Sequence, residues 1–99
     1  MIKVYGMATC PDCTWIEGQI EGDGRYELVD IGRHVKFLKE FLRLRDTEPA
    51  FDEARAQDVA GIPCFVLEDG SVTLDARLAG LRPRPADAGE ACAIDGSGC

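Results

Sequence analysis

Short apolar runs with strand character alternate along this chain with segments whose apolar residues recur every three or four positions. Residues 2–5, Ile-Lys-Val-Tyr, read as a short strand ending at Gly6. After a short loop and Cys10, residues 11–20 read as a helix. Pro11 suits the first helical position because its missing N–H would have had no partner there. Ile16 and Ile20 lie one turn apart on one face, with Trp15 beside them. Gly18 weakens this helix by about 1 kcal/mol relative to alanine, and Gly22 and Gly24 end it. Residues 26–31, Tyr-Glu-Leu-Val-Asp-Ile, read as a second strand.

The clearest helical period runs over residues 33–45. At 100° per residue, Val35, Phe37, Leu38, Phe41, Leu42 and Leu44 fill one broad arc, and Lys36, Lys39, Glu40 and Arg43 the other. Arg45 falls inside the apolar arc. It either reaches past the helix end or binds an anion at the edge of a site. Thr47-Glu48-Pro49 resembles a cap and first turn for a short helix over residues 50–57. Residues 61–67 then run into a strand. Asp69-Gly70 marks a tight turn, and residues 71–75 return as its partner strand. Residues 76–82 form a short helix or turn. From Pro83 the composition becomes Pro, Ala, Gly, Asp and Ser, which predicts a flexible tail over 83–99 after a domain over 1–82.

The predicted order is β-α-β-α-(α)-β-β. Strands separated by helices favour parallel pairing through a crossover, whereas the last hairpin is antiparallel. An α/β fold follows, a four-stranded mixed sheet with helices on its faces.

Composition narrows the function. A net charge of −7 repels phosphate backbones and anionic lipid, so neither nucleic acid nor membrane is expected as a partner. No apolar run approaches the ~20 residues of a spanning helix. No secretory signal is visible before the first strand, which favours a cytoplasmic location and reduced thiols.

Five cysteines in 99 residues is a high count. Two of them stand in Thr9-Cys10-Pro11-Asp12-Cys13. Cysteines three apart at a helix start share a face and can bond to each other. The first sits where unpaired N–H groups and the helix dipole favour a thiolate. Cys10 is thus the expected nucleophile toward a target disulfide, and Cys13, one turn inward, the expected resolving thiol. Thr9, Pro11 and Asp12 support the motif. Asp12 also opposes a second negative charge beside it. The alternative is half of a zinc site completed by Cys92 and Cys99, or an iron–sulfur cluster shared between chains, in a non-catalytic binding module.

The strand, the short loop, Cys10-Pro11-Asp12-Cys13 opening a helix, the β-α crossover and Ile62-Pro63 before a hairpin together resemble glutaredoxins of the thioredoxin superfamily. The likeness spans about residues 1–80. It implies a thioredoxin-like fold and a thiol–disulfide oxidoreductase that reduces protein or small-molecule disulfides in redox homeostasis. It also implies that Cys10 is the nucleophile and Cys13 the resolver. Pro63 would be cis and face them, and the backbone of Ile62 would pair with the substrate. No bound cofactor is required. Glutathione or a reductase would donate electrons, and a monomer is expected. The sequence departs from the family at several places: Met7 stands where many members carry lysine, Gly61-Ile62-Pro63 replaces Thr-Val-Pro, nothing around Asp75-Ala76-Arg77 matches the glycine pair and acidic pair that grip glutathione, the segment between Asp30 and Pro63 is long with an extra short helix, and the final helix is truncated.

Three further thiols remain. Cys64 follows Pro63 and is either a third redox thiol or a small strand hydrophobe. Cys92 and Cys99 are either idle or able to form a disulfide that the tail delivers to Cys10. His34, the only histidine, is expected to be structural.

Overall fold

A computed structural model describes residues 1–85 of the chain. Its elements are β1 (Ile2–Gly6), α1 (Pro11–Ile20), β2 (Tyr26–Asp30), α2 (Val35–Thr47), a tight 3-10 turn (Pro49–Phe51) leading into α3 (Asp52–Ala56), β3 (Cys64–Val66), β4 (Val72–Thr73) and a second 3-10 turn (Ala76–Ala79). The four strands form one mixed sheet in the order β2-β1-β3-β4. β1 and β2 are parallel, and β3 is antiparallel to both β1 and β4. The architecture is therefore α/β with an open mixed sheet. No helix among the described residues is long and apolar enough to cross a membrane.

The period-2 alternation of β1 sends its side chains into two separate cores. Tyr5 joins Val29, Ile31, Phe41, Phe51 and Cys64 on one side of the sheet. Val4 joins Ile16, Ile20, Phe65, Ala76 and Ala79 on the other. Helices thus cover both faces. The pairing Val4↔Phe65 and Tyr5↔Cys64 keeps the two sets apart across β1 and β3.

Helix α1 spans the expected residues, whereas α2 starts at Val35 rather than residue 33. His34 is the reason. Its backbone is extended, and its Nδ1 accepts the Lys36 N–H at 3.0 Å, which caps the helix. The apolar arc of α2 is also narrower than expected. Phe41 is buried and Phe37 and Leu44 partly so, while Val35, Leu38 and Leu42 remain exposed. Positions 37, 41, 44 and 45 form one stripe toward the sheet. Arg45 belongs to it, half-buried, and is held by backbone carbonyls of the chain. Its Nε donates to the Ala60 carbonyl at 3.0 Å and its Nη2 to that of Val59 at 2.7 Å.

That clasp holds the loop before β3. Gly61 has φ +88°, and a Cβ there would lie 2.7 Å from two ring carbons of Phe51. Residues 61–63 therefore leave the strand pattern, and β3 begins only at Cys64. The hairpin closes at Asp69-Gly70 as expected, with the Leu67 N–H donating to the Ser71 carbonyl at 2.8 Å. β4 is shorter than residues 71–75, because the Asp75 N–H turns back to the Thr73 hydroxyl.

Candidate functional site

Cys10 is the N-cap residue of α1, with φ −90° and ψ 120°. Its N–H donates to the Met7 carbonyl at 3.1 Å, and its carbonyl accepts the Thr14 N–H at 3.0 Å. The loop from β1 thus turns directly into the helix, with Pro11 at the first helical position. Thr9 lies in the exposed turn before it. Cys10 is 0% exposed and Cys13 2%. The first-turn position of Cys13 places it against the end of β1, where a Cβ on Gly6 would stand 3.0 Å from its Sγ. Glycine at position 6 leaves the volume that this sulfur occupies.

The thiols differ in state. Cys10 is disulfide-bonded, whereas Cys13 and Cys64 are free. The bond at Cys10 therefore does not run to Cys13. Burial pushes the Cys13 thiol up to about 12, partly offset by a backbone hydrogen bond from Met7 and reinforced by the charge of Asp12. Burial likewise pushes Cys64 up to about 12. Cys64 is 0% exposed at the start of β3 and packs in the same core as Cys13.

Ile62 is buried, and the Ile62–Pro63 peptide is cis, as the resemblance implies. Pro63 and Asp12 both line a cavity of about 200 Å³, together with Ile16, Asp75, Arg77 and Arg84. The sequence-predicted residues Asp12 and Pro63 are thus brought to one cleft beside the α1 N-terminus. Cys92 and Cys99 lie outside the described residues, as does most of the predicted tail. Among the described residues no group of three or more His, Cys, Asp or Glu side chains stands in a metal-binding arrangement.

The segment after the second 3-10 turn was not anticipated as part of the site. Gly80, at φ +80°, ends that turn, and the chain then lies along α1. The Gln19 amide brackets Arg82, accepting its N–H at 2.8 Å and donating to its carbonyl at 2.7 Å. The Trp15 indole donates to the same carbonyl at 3.0 Å. Arg84 reaches Asp12 at 3.2 Å. Gln19, Trp15 and Asp12 share one helix face by their spacing, a signal readable only with the strap beside it.

No family model matches the chain, and no solved structure matches it. A protein of Haemophilus influenzae described as uncharacterized is 38% identical over 68 residues, which cover 68% of this chain and 79% of that protein. The chain belongs to the same family as that Haemophilus influenzae protein.

Proposed function

We propose that this protein is a thiol–disulfide oxidoreductase of thioredoxin-like, glutaredoxin-type architecture, acting through Cys10 and Cys13. The observation that carries the reading is the position of Cys10 at the N-cap of a helix that follows β1 directly, with Cys13 one turn behind it. Unpaired N–H groups and the helix dipole favour a thiolate at such a position. The shared cavity of Asp12 and Pro63 offers an adjoining surface for a disulfide-bearing substrate.

The reduced Cys10 thiolate attacks one sulfur of a target disulfide. A Cys10–target bond forms, the target's own S–S bond breaks, and the departing thiolate takes up a proton. A second thiolate of the chain then attacks the Cys10 sulfur and releases the other half of the target. Two electrons pass from the chain to the target, and one disulfide is left in the chain. Cys13 is the neighbouring thiol for the second step.

Reduction of a mixed glutathione disulfide and of insulin by the pre-reduced chain tests this. Cys10→Ser should abolish both activities. Cys13→Ser should retain the mixed-disulfide half-reaction, which needs one thiol. Turnover that survives Cys10→Ser overturns the proposal, as does a stoichiometric metal or iron–sulfur cluster bound through Cys10 and Cys13 in the purified protein.

A further inference from the structure

Helix α2 carries a second apolar stripe besides the one that packs on the sheet. Val35, Leu38 and Leu42 are 58%, 36% and 40% exposed. Their spacing of three and four residues aligns them on one side of the helix, over about 10 Å of its length. Apolar side chains at this period are the form in which one helix receives another. In the described chain the stripe stays open to solvent.

The charges beside it are unusual for this molecule. Lys39 and Arg43 border the stripe, with Lys36 next to them around the helix, and all three are exposed. None of them forms an ion pair among the described residues. Lys36 only leans over the Phe37 ring, 5.4 Å from its centre. Elsewhere the pattern is reversed, since Arg25, Arg55, Arg77 and Arg84 each meet an aspartate. Residues 33–46 hold five basic and two acidic side chains, a net charge of +3 in a chain of −7. Of the two acids, Glu40 accepts the Tyr5 hydroxyl. The cations beside the stripe thus have no carboxylate of their own, while the rest of the chain carries −10.

We infer that this face of α2 docks an acidic amphipathic helix of a partner protein. The partner's apolar residues cover Val35, Leu38 and Leu42, and its carboxylates meet Lys36, Lys39 and Arg43. Burial of the stripe supplies a non-directional attraction. The charges at its rim select the partner and speed the encounter. A second copy of this chain fits less well. A two-fold antiparallel pairing of α2 sets Lys39 and Arg43 against the same residues of the other copy, and like charges oppose that contact. An anionic bilayer is disfavoured by the −10 of the remaining surface. The inference is independent of the thiol–disulfide reading.

The test titrates the full-length chain into a fluorescent peptide of ~20 residues with leucine at heptad positions a and d and glutamate at e and g. A twin peptide carries lysine in place of glutamate. Anisotropy should saturate with the acidic peptide and stay flat with the basic one. Lys39→Glu should weaken binding about tenfold, whereas Lys3→Glu, an equal change of net charge on β1, should alter it by less than about twofold. Raising the salt from about 0.02 M to 0.3 M should also weaken it. Leu38→Ser/Leu42→Ser should abolish it, and because both side chains are exposed, an amide spectrum like that of the parent should show the fold retained. Failure of the acidic peptide to saturate overturns the inference, as does equal binding of the two peptides or binding that Lys39→Glu leaves unchanged. Dimerisation in the ultracentrifuge that Leu38→Ser/Leu42→Ser abolishes gives the face to a second copy. Binding to phosphatidylglycerol vesicles that Lys39→Glu abolishes gives it to a membrane. Either result overturns the inference too.

Discussion

Arg84 Nη1 lies 3.2 Å from Asp12 Oδ1, so the carboxylate between the two motif cysteines has a counter-charge from the strap. Removing the carboxylate takes away a negative charge beside Cys10 and so favours its thiolate. Removing the arginine leaves the carboxylate uncompensated and acts in the opposite sense. In the reduced chain at pH 7, Asp12→Asn should raise the iodoacetamide alkylation rate of Cys10 a few-fold, the range expected of partly exposed ion pairs. Arg84→Gln should lower it. Equal rates in both variants and the parent chain would contradict this coupling.

Alkaline pH should destabilise the fold through its buried acids. Cys13 and Cys64 rise from 9 to about 12 on folding, chiefly by burial. Tyr5 rises from 10 to about 12, by burial and then by Glu40, whose carboxylate accepts the Tyr5 hydroxyl at 3.2 Å. Above pH 9 the unfolded chain releases protons that the folded one keeps. The stability from these groups is thus complete below pH 9 and is lost as pH climbs toward 12. Urea midpoints measured in reductant at pH 8, 9 and 10 should fall, and fall less steeply in Cys64→Ala. Parallel slopes for the two proteins would contradict the assignment.

Gly61→Ala should be costly. A positive φ disfavours any L side chain by about 1–2 kcal/mol, and pressing a methyl group into the Phe51 ring adds about as much again. A loss of about 3 kcal/mol would lower the melting temperature by roughly 10–20 °C in a domain of this size. Gly18→Ala is the opposite case. Nothing lies within 4 Å of the added Cβ, and the helix gains about 0.5–1 kcal/mol. Calorimetry on the two variants should give shifts of opposite sign.

Arg45→Met should cost about 2 kcal/mol, because the carbonyls of Val59 and Ala60 lose a charged donor fork. Arg45→Lys should rescue little, since a single ammonium does not reproduce two donors in that geometry. Chemical denaturation of both variants checks this, and a lysine variant as stable as the parent would refute it.

Local signals in the sequence were sufficient for α1, β1, β2 and the hairpin turn. Pro11 at a helix start, the alternation around Val4 and Tyr5, and Asp69-Gly70 each act within a few residues of themselves. The motif cysteines were legible for the same reason. Partnerships across the chain were not. Arg45 sits in an apolar stripe, and only the nearness of two loop carbonyls 14 and 15 residues on explains it. The docking of Arg82 depends on a glutamine amide 63 residues earlier, which no periodicity marks. The tail composition likewise concealed that its first residues are held to α1.

Helix α1 begins in one core and continues into the other: Cys13 packs with Tyr5, Phe41 and Phe51, whereas Ile16 and Ile20 pack with Val4 and Phe65. A rivet through two plates behaves this way, since neither plate can slide without shearing it. Amide exchange in α1 should consequently track global unfolding rather than local fraying. On the proposed thiol–disulfide reading, a sulfur mounted on such a helix keeps its aim for as long as the whole molecule stays folded.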